Sequence, residues 1–166
     1  MSLSLKLNFI KGWPNPHIDE FIGKAAANVA VDEGKIAHRD ASGNWVLGVS
    51  AVNQTPYVLW NGAARDGDHG ASFDKTAGTQ QVSWGGIQGV SHNNAIEYET
   101  AQYAGTPVFG DSLYADTDGV LKICAGSASV SGKVIIATVT KGVHAAPGSG
   151  VNMVTVVPDN SKRVTA

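Results

Sequence analysis

The chain has 166 residues, a formal net charge of −2 at neutral pH, and 16% charged residues against 43% hydrophobic ones. That is enough apolar content for one ordinary domain with its own core, and it leaves no basic stripe to track the phosphates of a nucleic acid. The 20 glycines, set among many Ala, Val, Thr and Ser, favour short strands and turns over helices.

Cys124 is the single cysteine, so no disulfide forms within the chain, which is compatible with synthesis in a reducing cytoplasm. The opening MSLSLKLNFIKGW has no cleavable apolar stretch of signal-peptide length. No run approaches the ~20 apolar residues of a membrane-spanning helix.

Leu3, Leu5, Leu7 and Phe9 alternate with Ser2, Ser4, Lys6 and Asn8, the period of a half-buried strand. Pro14 and Pro16 in KGWPNPH stop it. Such a strand fits both pairing within its own fold and service as an arm that pairs with a neighbouring subunit, so 1–17 is set apart as an N-terminal strand or arm. A β-rich domain then covers 18–158, and 159–166 form a polar tail. HIDEFIGKAAANVAV reads as a short helix or irregular segment turning into strand near Asn28: Asp19 and Glu20 suit a first helical turn, and Ala25, Ala26 and Ala27 favour helix.

GKIAHRDASGNWVL, beginning at Gly34, and GDSLYADTDGVLKI, beginning at Gly110, share one skeleton. Each opens on Gly, reaches Asp40 or Asp116 and then Gly43 or Gly119, and continues into apolar residues. The physical reading is strand, turn, strand: Asp accepts backbone hydrogen bonds and Gly permits positive φ. Two such hairpins can cover each other's apolar faces. Replacing either turn glycine by valine is expected to cost ~1–3 kcal/mol. Further strands are predicted at PYVLWNG, AIEYETAQY, GKVIIATVTKG and VNMVTVVP. The tally predicts a mainly β fold, a small antiparallel barrel or sandwich with two related strand-turn-strand halves.

The stretch 62–94 holds seven Gly and few aliphatics. It reads as a long Gly-rich surface excursion, with one short strand around Gln81 to Trp84, anchored on an interface by Phe73 and Trp84. Replacement of Ala64 to Val90 by a short Gly/Ser linker is expected to leave a folded domain.

The candidate chemistry is thin. Asp66, Asp68 and His69 in RDGDHG lack the distal Glu and flanking helices of a calcium loop, so no metal is assigned. Glu97 and Glu99 share one face of a strand, and the alternation with Ile96 and Tyr98 reads as a solvent face rather than an acid–base pair. Cys124 with His144 or His92 lacks any nucleophile motif. No phosphate loop, dinucleotide fingerprint or zinc spacing occurs, so the residues predict no enzyme, no catalytic residue and no cofactor. Trp84, with Glu97 and Glu99, is the sole support for a carbohydrate-binding module or small hydrolase.

AGTPVFGDSLYADTDGVLKI followed by GKVIIATVTKGV resembles the capsid cement, or head decoration, proteins of tailed bacteriophages. The resemblance covers 104–143 well and 31–62 more loosely. It implies a small β-barrel-like domain on the outer surface of the virion capsid, a structural protein that binds the major capsid protein and stabilises the shell. Synthesis in the host cytoplasm, and no nucleic-acid or membrane partner, go with it. The resemblance, with the alternating arm Leu3, Leu5, Leu7 and Phe9, implies a homo-oligomer, a trimer favoured over a dimer. The same composition serves a tail or baseplate component.

Overall fold

A computed structural model describes residues 7–11, 20–24, 32–60, 83–88, 90–91, 94–124, 131–146 and 150–159. These residues form strands and turns, with no helix among them. In chain order the strands are β1 (Leu7–Lys11), β2 (Glu20–Lys24), β3 (Ile36–Arg39), β4 (Trp45–Leu47), β5 (Tyr57–Trp60), β6 (Ser83–Gln88), β7 (Val90–Ser91), β8 (Asn94–Ala95), β9 (Glu97–Thr100), β10 (Ser112–Ala115), β11 (Leu121–Ile123), β12 (Ala137–Ala145) and β13 (Asn152–Pro158).

They pair antiparallel into a sheet of order β2-β6-β5-β3-β4 and a second of order β1-β9-β13-β12-β10-β11, with β7 and β8 as a small hairpin between. The orders carry a relation the sequence repeat only partly reveals. β9 to β13 are joined in the same order as β2 to β6, so a five-strand unit occurs twice. The hairpins keep register: Ala37↔Leu47, His38↔Val46 and Arg39↔Trp45 in the first match Leu113↔Ile123, Tyr114↔Lys122 and Ala115↔Leu121 in the second. β1 is added to the second sheet as an edge strand on β9.

The two sheets share a core. Ile36, Val49 and Val58 from the first unit pack with Leu7, Tyr98, Leu113, Leu121, Val139, Val154 and Val156 from the rest. Each large apolar side chain buried this way contributes roughly 1.5–3 kcal/mol. A smaller cluster of Ala37, Trp45, Leu47, Tyr57 and Leu59 lies in the first sheet, where Trp45 and Tyr57 meet edge-to-face at 5.2 Å.

Two sequence expectations change and one alternative is decided. Glu20–Lys24 is strand β2, not a first helical turn, because its backbone pairs with β6 from Glu20↔Ile87 to Lys24↔Ser83; tertiary pairing overrides local helix propensity. The stretch 62–94 is not an excursion throughout: β6 lies between β2 and β5 and is hydrogen-bonded to both. Its replacement by a linker would remove an interior strand. Of the two readings of the N-terminal strand, its described part Leu7–Lys11 follows the first and pairs within the chain, Leu7 opposite Thr100; Leu3 and Leu5 lie outside the described residues.

Candidate functional site

The four glycines of the repeated device all have positive φ: Gly34 83°, Gly43 81°, Gly110 90° and Gly119 71°. Gly34 and Gly110 open each hairpin by donating to the neighbouring strand, Gly34 N to Leu59 O at 2.8 Å and Gly110 N to Val139 O at 2.9 Å. Gly43 N and Gly119 N close the hairpins on Asp40 O and Asp116 O, at 3.0 and 2.8 Å. The carboxylates then diverge. Asp40 Oδ1 accepts Ser42 N and Asn44 N at 2.9 and 2.8 Å, and these backbone donors, Asn44 first, hold its pKa below the ordinary value. Asp116 instead meets Lys133 Nζ at 3.0 Å. Asp118 takes over the turn by accepting Val120 N at 3.1 Å and pairing with Lys122 at 2.8 Å. Partial burial pushes the Asp118 pKa up, but Lys122 and the Val120 amide outweigh it and lower it.

The hairpins also interlock. Ile36 N donates to Gly119 O and Gly48 N to Ile36 O, each at 2.8 Å, and Val49 N donates to Ala115 O at 3.1 Å. A Cβ on Gly48 would overlap the Asp116 carbonyl oxygen, and one on Gly119 would sit 2.7 Å from Ile36 O. The device is therefore architectural, a backbone-to-backbone lock between the halves.

Two surface features stand apart from that lock. One is a polar groove of about 330 Å³ lined by His38, Arg39, Asp40, Asn53, Gln54, Thr55 and Tyr57. His38 Nδ1–H donates to Gly48 O at 2.7 Å, and Gln54 Nε2 donates to His38 Nε2 at 3.0 Å. Gln54 Oε1 in turn accepts Ser50 N and Ala51 N at 2.7 and 3.1 Å. The groove's histidine and glutamine are thus occupied with holding their own loop. Burial raises the Tyr57 pKa, opposed by the nearby charge of Arg39.

The other is the turn before β10. Phe109 is 79% exposed and Val108 57%, yet the turn beneath them is fixed. Val108 N donates to Asp111 Oδ2 at 2.9 Å and Asp111 N to Val108 O at 3.1 Å. Pro107 is buried, and its carbonyl accepts Val143 N at 3.4 Å. Gly142 makes this approach possible, since a Cβ there would lie 3.1 Å from Pro107 O. A rigid base presenting two bare apolar side chains has the form of an interface anchor. Sequence reading passed over Val108 and Phe109. The available signal was an apolar pair bracketed by Pro107 and Gly110, outside any alternating strand pattern.

The sequence-predicted residues fall differently. Leu7 is 2% exposed in the shared core, a core residue rather than an interface anchor. The backbone of Phe9 lies opposite Tyr98 and that of Trp84 opposite Gly23; Phe73, Asp66, Asp68, His69 and His92 lie outside the described residues. Glu99 is 6% exposed, not on a solvent face, and its Oε1 lies 2.8 Å from His144 Nε2. Glu97 accepts Thr140 Oγ1 at 2.7 Å. His144 is therefore held by Glu99 and by Gly142 O, at 2.8 Å from Nδ1, rather than presented to Cys124. Burial raises the Cys124 thiol pKa, the opposite of activation. Among the described residues no group of three or more His, Cys, Asp or Glu side chains is placed to hold a metal.

No protein-family model, curated protein or solved structure matches this chain.

Proposed function

We propose that this protein is a non-enzymatic virion component that binds the outer surface of a tailed-bacteriophage capsid and reinforces it, its two β units forming a small barrel or sandwich. The observation that carries the reading is the Val108–Phe109 tip: a locked turn with two exposed apolar side chains, within the segment that resembles the cement proteins. Two side chains are far short of the roughly 800 Å² per partner of a stand-alone interface. They suit a contact repeated over a symmetric lattice, where many weak anchors sum, and a homotrimer would present three tips at once. The major capsid protein is then the partner.

The test adds purified protein to expanded, undecorated capsids and measures their disruption temperature. Binding with a raised disruption temperature supports the reading, and no binding to any capsid form overturns it. Electron microscopy of labelled protein on whole virions separates head from tail or baseplate. The carbohydrate-binding alternative is weakened by the burial of Glu99.

A further inference from the structure

The turn before β10 covers the outer side of β12 only as far as Val143. Val139 bonds to that turn through both backbone groups, Val139 N to Asp111 O and Gly110 N to Val139 O, each at 2.9 Å, and Val143 N reaches Pro107 O at 3.4 Å. Pro107 has no N–H to return to Val143 O. The chain before it is engaged elsewhere, with Ala104 N on Leu121 O. On its inner side β12 pairs with β13. Beyond its second irregularity that ladder is regular, with His144↔Met153 and Ala145↔Asn152 in register and Ala146 N on Val151 O at 2.9 Å. Hydrogen-bonded and non-hydrogen-bonded pairs alternate along an antiparallel ladder. Ala145, one residue before Ala146, therefore points both its N–H and its C=O away from β13. Val143 O, Ala145 N–H and Ala145 O form an open edge. None of the three has a hydrogen-bond partner among the described residues, and Ala145 is exposed.

An unpaired edge is a template for a further strand, and the chain carries a segment of matching form at the other border of the same sheet. Leu7 of β1 lies opposite Thr100, the last residue of β9. Thr100 lies opposite Val154, and two residues along β13 Asn152 lies opposite Ala145. Chain preceding Leu7 thus leaves the sheet at the end where the open edge of β12 lies. In the sequence the alternation of Leu7 and Phe9 continues back through Leu5 and Leu3, with Lys6, Ser4 and Ser2 between; Ser2 to Lys6 lie outside the described residues. β9, β13 and β12 separate the two borders. A strand beyond β12 lies four inter-strand spacings from β1, about 19 Å, whereas Ser2 to Lys6 span at most about 17 Å. They are too short to cross their own sheet and still pair along β12. The same residues of a second copy meet no such limit.

We propose that Ser2 to Lys6 of one copy add as a strand to the Val143–Ala145 edge of a second copy. The contact is head-to-tail: each copy donates from one border of its sheet and accepts at an edge beyond the other side of β13, a heterologous arrangement that closes as a ring. It rests on the homo-oligomer proposed for this protein and supplies a contact through which a trimer closes. Main-chain hydrogen bonds to Val143 O, Ala145 N and Ala145 O hold the added strand, and its alternating leucines set the register.

Amide hydrogen exchange on the wild-type protein tests the edge without any variant. Ala145 N–H should exchange at least about tenfold more slowly in the associated protein than after dilution to monomer. An unprotected Ala145 in the associated protein, or a protein that stays monomeric, overturns the proposal. Cysteine scanning then tests the occupant. In a Cys124→Ser background, Ala145→Cys protein is mixed in turn with Ser2→Cys, Leu3→Cys, Ser4→Cys, Leu5→Cys and Lys6→Cys protein and oxidised. Mixed disulfide dimers are expected at alternate positions only, because successive side chains of a strand point to opposite faces. Mixed dimers at none of the five, or equally at all, overturn the proposal. Capsid binding is read on the same wild-type preparation. A capsid-binding oligomer without the mixed dimers overturns the strand exchange alone, and mixed dimers in a protein that binds no capsid form support the exchange and overturn the capsid reading alone.

Discussion

The turns that open the two hairpins share a backbone and differ in chemistry. Lys35 N donates to Asp32 O at 3.3 Å in the first, and Asp111 N to Val108 O at 3.1 Å in the second. In the first, Glu33 is buried at 9% exposure, and the turn is covered by the end of β9 and the adjoining Gln102: Thr100 Oγ1 donates to Gly34 O at 3.3 Å and Gln102 Nε2 approaches Asp32 Oδ2 at 3.5 Å. In the second, the position that matches Glu33 holds Phe109, 79% exposed. One backbone geometry thus serves an inward polar contact in one half and an outward apolar tip in the other. The repeated scaffold thus carries two turn chemistries, a covered polar turn in one half and an exposed apolar pair in the other.

The hairpin ends diverge similarly, and substitutions there sharpen the comparison. The largest effect is expected at Gly48, where positive φ coincides with the Asp116 carbonyl: Gly48→Ala should cost about 3–5 kcal/mol or prevent folding, read by denaturant titration. Gly119 and Gly43 occupy matching turns, but a Cβ on Gly119 meets backbone whereas one on Gly43 meets only the movable tip of Arg39. Gly119→Ala should therefore cost about 2–4 kcal/mol and Gly43→Ala about 1 kcal/mol; equal losses would show that the halves are not locked through Gly119. The smallest difference concerns the aspartates. Asp40→Ala removes an acceptor for two backbone amides and should lower the melting temperature. Asp116→Ala removes a partly exposed ion pair and should change it by no more than about 1–2 °C. The depressed Asp40 pKa gives the sign in acid: its contribution is present above the ordinary carboxylate range and is lost as the pH falls, so Asp40→Asn should flatten the acid limb of the stability profile.

How much of the fold was legible depends on where each signal resides. The hairpins were readable because Asp-x-x-Gly turns and alternation are local. β2 was not, because Asp19, Glu20 and the alanines at 25–27 look helical until β6 is placed beside them. Only the start of β6 was legible, within the short strand expected around Gln81 to Trp84; Gly85 and Gly86 hid its continuation, because they weaken a strand's intrinsic preference yet pair with Trp60, Leu59, Ile22 and Phe21. The burial of Glu99 was invisible because alternating Glu97 and Glu99 look the same on a solvent face and in a polar interior. Only the fold brings His144 to Glu99, and only the fold leaves Phe109 uncovered.

The proposal that the turn opening the second hairpin is a surface for attachment rather than for folding is tested most directly by Phe109→Ser in two assays on one preparation. The expected result is a melting temperature of the isolated protein within about 1–2 °C of wild type, together with at least a roughly tenfold loss of affinity for undecorated capsids and no rise in their disruption temperature. A variant that decorates and stabilises capsids like the parent, or one that unfolds, would contradict it.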